Sequence, residues 1–186
     1  VSVVPIPAPV WGKPISRVED YHLSPGQHWT MRAGYRLLEK AGLTPIKRDY
    51  RKALGGLQPY GGAQWWAMTR PAIRYQLDFT AAHPRFVRFF HNCFIADEAF
   101  FQTIMANSPF ADRIRRSLTY TDWSAGGAHP TLFGTQHLPL LEKAMVAPAP
   151  SVFGEGAYLF ARKFADDAAE ITAAVDRMAS GAMVAT

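Results

Sequence analysis

Two carboxylates stand side by side at Asp97 and Glu98, in the run IADEAFFQT (95–103), where most neighbours are apolar. A carboxylate in partly desolvated surroundings holds its proton more tightly, which moves it toward the range useful for a general base. The same pair also suits a helix start, with Asp97 as N-cap and Glu98 complementing the helix dipole. Residue types alone leave both readings open.

A second group is FARKF (160–164), two adjacent cations between aromatic anchors. With the rings buried and both charges outward, a diphosphate would gain charge-assisted hydrogen bonds from Arg162 and Lys163. The plain alternative is a solvated pair that meets Asp166 or Asp167. In DWSAGGAHP (122–130) the two glycines allow close backbone approach to a ligand, and His129 can donate to a phosphate oxygen. An ordinary surface turn with an exposed histidine accounts for that segment as well, and its glycines do not fit a phosphate loop. In YGGAQWW (60–66), Gln64, Trp65 and Trp66 offer stacking and hydrogen bonds to a sugar ring. Side chains alternate along a strand, so at least one of the two tryptophans should be core.

Other chemistries lack their residues. No Asp-x-Asp occurs, so the usual carboxylate pair holding a divalent metal with a sugar nucleotide is missing from this stretch. The histidines show no i, i+4 pair around a glutamate, and no G-x-S-x-G occurs, which removes zincin and common hydrolase signatures.

The elements that would position these groups follow from periodicity and punctuation. VSVVPIPAPVWGKP reads as an extended lead-in. A helix is expected over Thr30–Lys40, with Tyr35, Leu37, Leu38 and Ala41 as its apolar side and Gly42 as its stop. Residues 43–62 read as a surface loop, and AQWWAMT (63–69) as a short buried strand. Thr69 and Pro71 open a helix through Tyr75, Leu77 and Phe79, and Pro84 opens another. Asp97 is placed as the cap of a helix with Phe100, Phe101, Ile104 and Met105. SLTYTDW (117–123) alternates as a strand, and His137–Ala144 is a short helix. After a loop over 145–156 comes AYLFARKF, a short strand or turn. Asp166 and Asp167 start a last helix, expected to stop near Gly181. This alternation predicts an α/β fold, a sheet packed between helices.

Hydrophobic residues make up 48% and charged residues 19% of the 186 residues, which excludes a disordered tail and allows one buried core. The net charge of +5 sits in residues 1–60, with 9 Lys/Arg against 4 Asp/Glu, whereas residues 61–186 carry 11 of each. No run of like charge appears, so nucleic acid is not an expected partner. The single cysteine, Cys93, rules out an internal disulfide and a cysteine metal cage. No stretch is long enough to span a bilayer.

Taken in order, GGAQWWAMT, HPRFVRFFHNCFIADEAFFQTIMANSPF, YTDWSAGGAHPTLF and LFARKFADD resemble the C-terminal half of the core-2/I-branching β-1,6-N-acetylglucosaminyltransferase and peptide O-xylosyltransferase family. The resemblance covers about residues 60–180 and is not seen before residue 57. It implies a single partial glycosyltransferase domain, with a basic, irregular segment at 1–56 and a catalytic portion at 57–181. It also implies a GT-A-like fold and an inverting transfer of GlcNAc or xylose from a UDP-sugar to a glycan, protein or lipid-linked acceptor. On this resemblance Glu98 is the catalytic base. Arg162 and Lys163 bind the donor diphosphate in place of a metal, with His129 nearby, so no cofactor or metal is expected. Gln64, Trp65, Trp66, Asp122 and Trp123 line the donor and acceptor groove. The family's uridine-binding strands would lie upstream of the match. The lone cysteine departs from the disulfide-rich animal members of the resembled family, which implies a bacterial, cytoplasmic-side enzyme; the alternative is the Golgi lumen if an upstream membrane anchor exists. A carbohydrate-binding module without catalysis and a nucleic-acid-binding domain are the competing classes. A lectin would ignore UDP, and nucleic-acid binding would collapse with salt.

Overall fold

The computed structural model describes residues 2–22, 29–43, 47–127, 129–146 and 156–184. They form two compact units, Ser2–Gln64 with Met68–Ile114 (the N-terminal unit), and Trp65–Ala67 with Arg115–Thr186 (the C-terminal unit). Helix and short strand are mixed, compatible with an α/β class. The strands make two separate two-stranded pairs where one sheet between helices was expected.

In the N-terminal unit, β1 (Val3–Pro5) pairs antiparallel with β2 (Tyr60–Gly62), Val4 opposite Gly61. The glycines make this pairing possible, because a Cβ on Gly62 would run into the backbone carbonyl of Ser2. The helices are α1 (Ser16–Glu19), α2 (Trp29–Lys40), α3 (Tyr50–Ala53), α4 (Arg70–Ala82), α5 (Pro84–Phe90) and α6 (Phe100–Ala106). Pro71 sits in the first turn of α4 and Pro84 opens α5, as their fixed φ and missing N–H favour. The core is aromatic. Phe86, Phe90 and Phe100 pack at 4.9–5.5 Å between ring centroids, with Ile6, Val18 and Ile104 buried around them. Each such ring contributes about 1.5–3 kcal/mol by leaving water.

Four expectations change in this unit. The 43–62 segment, described from 47 onward, is not a surface loop: it holds α3 and β2, and Tyr50 and Leu54 join the core. The 63–69 run is not a strand: β2 stops at Gly62, which pairs with Val3, the first residue of β1. Helix α2 and its glycine stop are present, Gly42 having φ +70°, but Leu37 and Leu38 are exposed and only Tyr35 is half-buried. Asp97 does not cap α6. It lies in a 3-10 turn, Ala96–Glu98, and Ala99 takes the cap position.

In the C-terminal unit, β3 (Thr119–Thr121) runs parallel to β4 (Phe160–Arg162), with Thr121 opposite Arg162. Helices α7 (Leu138–Val146) and α8 (Ala169–Val184) pack on Phe133, Leu141 and Ile171, joined by Tyr120, Phe164 and Val175. Helix α8 continues through Gly181, a position that costs about 1 kcal/mol relative to alanine without ending a helix. Of the expected 145–156 loop, residues 147–155 lie outside the described residues.

Candidate active site

The N-terminal unit holds Glu98 at the end of the Ala96–Glu98 turn, just before α6. Two buried polar side chains on the first turn of α6 fix that place. Gln102 donates from Nε2 to the carbonyls of Ala63 (2.9 Å) and Asp97 (3.2 Å). Thr103 Oγ1 accepts from the N–H of Tyr60 (3.0 Å) and donates to its carbonyl (3.2 Å). Helix α6 is thereby docked side-on to β2, and Glu98 sits at the seam.

The Glu98 carboxylate is held by two cations. Lys13 Nζ donates to Oε2, and Arg17 Nη1 donates to the same oxygen at 2.8 Å. The side chains are 11% exposed for Lys13, 12% for Arg17 and 23% for Glu98, so the cluster is largely shielded from water. Each cation is itself placed. The stem of Lys13 lies across Gly61, whose added Cβ would stand 3.0 Å from Lys13 Cδ. Arg17 Nε donates to the carbonyl of Gly12 at 2.8 Å. Among the described residues, nothing bonds Glu98 Oε1.

Sequence reasoning missed Lys13, Arg17, Gln102 and Thr103. The basic surplus of residues 1–60 was the one available signal for the cations, and it named no partner 81 or 85 positions away. Asp97 stays at the surface; its carbonyl, not its carboxylate, takes part in the seam. Gln64 is exposed at the point where the chain leaves this unit.

The C-terminal unit brings Arg162 and Trp65 together. The guanidinium carbon lies 4.8 Å from the indole centroid, within the range of a cation–π contact. Trp65 is 48% exposed and Trp66 half-buried, so neither is the expected core residue. The backbone carbonyl of Trp65 accepts from Ser117 Oγ at 3.1 Å, which ties the 65–67 segment to the approach of β3. Lys163 is exposed, and its carbonyl accepts from the N–H of Phe133 at 2.8 Å. Among the described residues neither cation pairs with Asp166, Asp167 or any other carboxylate, so the alternative pairing is not made. Only one of the two flanking rings is an anchor: Phe164 joins the core, while Phe160 is exposed.

Asp122 is occupied locally. Its Oδ1 accepts the N–H of Ser124 and its Oδ2 the Ser124 hydroxyl, both at 2.9 Å. The backbone hydrogen bond from Ser124 leads the causes that hold its carboxyl below the ordinary aspartate value, against a smaller effect of burial. Gly126 and Gly127 take positive φ, +69° and +93°, in the turn that leaves Trp123 and His129 exposed. Among the described residues, no group of three or more His, Cys, Asp or Glu could hold a metal, and no helix is long and apolar enough to cross a membrane.

Comparison with known proteins gives the family. A family model, Branch: Core-2/I-Branching enzyme, matches residues 19–141. It starts well ahead of residue 57, where the sequence resemblance begins, and ends before Arg162 and Lys163. No curated protein and no solved structure shows a significant match to the chain. The matched stretch includes the Glu98 turn and β2, and it covers about two-thirds of the sequence, so this chain belongs to the Core-2/I-Branching enzyme family, a family of glycosyltransferases.

Proposed function

We propose that the chain is an inverting, metal-independent glycosyltransferase that moves GlcNAc or xylose from a UDP-sugar to a hydroxyl acceptor, with Glu98 as the base. The observation that carries this reading is the carboxylate of Glu98, clamped by Lys13 and Arg17 on one oxygen with the other unbonded. The two cations fix the direction of the carboxylate, and near-attack geometry itself supplies much of a rate. In the reaction, Glu98 Oε1 takes the acceptor O–H proton as the acceptor oxygen bonds to the anomeric carbon. The bond from that carbon to the UDP oxygen breaks, and its electron pair stays on the diphosphate. One displacement with no covalent intermediate inverts the centre.

Arg162 and Lys163 are the groups proposed to meet the charge on departing UDP. Two cations placed at developing negative charge would stabilise a transition state without a metal. Support comes from the absence, among the described residues, of a carboxylate partner for either cation, and from the contact of Arg162 with the Trp65 ring. His129, Trp66, Trp123 and Gln64 are proposed as further lining; Trp66 is half-buried and the other three are exposed. Asp122 shapes the turn that carries Trp123. The enzyme is proposed to work on the cytoplasmic side of a bacterial cell.

The test is sugar transfer by this chain from UDP-GlcNAc and UDP-xylose, with and without EDTA. Transfer should survive EDTA. Complete loss in EDTA, restored by Mn²⁺, contradicts the metal-free donor site.

A further inference from the structure

The turn that carries Glu98 also walls a groove in the N-terminal unit, of about 760 Å³. That is ample for one small ligand group. Its walls are Phe90 from α5, Ile95 from the turn, and Phe100 and Phe101 from α6, with His22 and Asp97 among its few polar groups. Among the described residues no lysine or arginine lines it. Ile95 is held at φ +49°, a left-handed conformation that a β-branched residue rarely adopts, and is 39% exposed. Such strain gathers at ligand sites.

The lining chooses between occupants. A nucleotide diphosphate would meet Asp97 and no cation. A bare sugar would bury several hydroxyls against hydrocarbon, each at a cost when unpaired. An uncharged apolar group meets neither penalty. The groove is also close to the proposed base: Asp97 precedes Glu98, and Arg17, which holds Glu98, lies 5.7 Å over the ring of Phe94. Phe94 in turn meets His22 edge-on at 5.2 Å, so a single ring separates the clamp from the groove wall.

We infer that this groove seats an uncharged alkyl or aryl aglycone of the acceptor while the acceptor sugar presents its hydroxyl to Glu98. This rests on Glu98 as the base, and it selects a lipid-linked sugar over a bare glycan or a protein serine.

The experiment is titration calorimetry of the intact chain with methyl, benzyl and octyl glycosides of galactose and N-acetylglucosamine. Each buried methylene is worth about fourfold in affinity, so the benzyl and octyl forms should bind about tenfold or more tightly than the methyl form. Ile95→Asn keeps a residue suited to positive φ and removes apolar wall, so it should reduce that preference severalfold. In the unmutated chain, octyl galactoside should slow alkylation of Cys93, which lines the same groove and is the sole cysteine. Equal affinity of methyl and octyl forms overturns the inference. So does a preference unchanged in folded Ile95→Asn with Cys93 unprotected, or binding of octanol as tight as that of its glycoside. These readouts need no turnover, so they fail separately from the base assignment, which fails if Glu98→Gln keeps its transfer rate.

Discussion

Two charged clusters of this protein, those at Glu98 and at Arg162, are built in opposite ways. In the N-terminal unit a carboxylate sits under two cations, all three side chains less than a quarter exposed, so its charge is satisfied inside the fold. In the C-terminal unit Arg162 rests on an indole and Lys163 stands in solvent, and among the described residues no carboxylate answers either. The first arrangement fixes a direction; the second leaves positive charge unspent. In the proposed function the first kind would orient a base and the second would meet a diphosphate.

The comparison is broken most severely by removing both clamps. The Lys13→Met, Arg17→Met pair should lower kcat by about a hundredfold with KM for the donor near normal, the scale expected when a reacting group is misplaced by about 1 Å. Steady-state kinetics in both substrates checks this. A rise of similar size in the donor's KM alone, with kcat unchanged, would place the cations at the donor instead. The opposite cluster is tested by Lys163→Ala, which should weaken UDP binding by about 1.5–3 kcal/mol, the range for a hydrogen bond to a charged group. Calorimetry showing unchanged affinity in a folded variant removes Lys163 from the donor site. Trp65→Ala should have a smaller effect, about 0.5–1 kcal/mol, because it withdraws only the surface on which Arg162 stacks.

The smallest effect concerns the turn after β3. Asp122 has its carboxyl lowered by the Ser124 hydrogen bonds, so its contribution to stability is complete above the ordinary aspartate range and fades as pH falls through the lowered value. Asp122→Asn should therefore lower Tm more at pH 7 than near pH 3. A shift that is equal at both values means that the charge of Asp122 plays no part in the turn.

These outcomes also show what the sequence could and could not disclose. Helix α4 was legible because Thr69 and Pro71 mark its start locally, and α5 likewise from Pro84. Glu98 was legible as a candidate through the family resemblance of 95–103, since its residue types alone also suit a helix start. Its clamp was not, because Lys13 and Arg17 reach it only after β1 pairs with β2 across more than fifty residues. The 63–69 run shows the same limit. Its apolar, aromatic composition suits a strand, yet β2 stops at Gly62, just before the run begins. Asp97 was placed as a cap on residue type; the seam made by Gln102 instead winds 96–98 into its own turn and hands the cap position to Ala99. The cation pair at 162–163 was visible from spacing, while the support of Arg162 by Trp65 required two segments about a hundred positions apart to meet.

The most direct test is Glu98→Gln in the intact chain, with turnover, UDP affinity and Tm measured together. Glutamine keeps the shape of the side chain and removes the proton acceptor, while Lys13 and Arg17 lose their counter-charge. General-base catalysis contributes typically about 10²–10⁴-fold, so turnover should fall by that much, with UDP affinity near normal in a chain that still melts cooperatively. If Glu98→Gln instead keeps more than about a tenth of the turnover and shows only a lowered Tm, the carboxylate is a structural tie between the 13–17 segment and α6, and the base lies elsewhere.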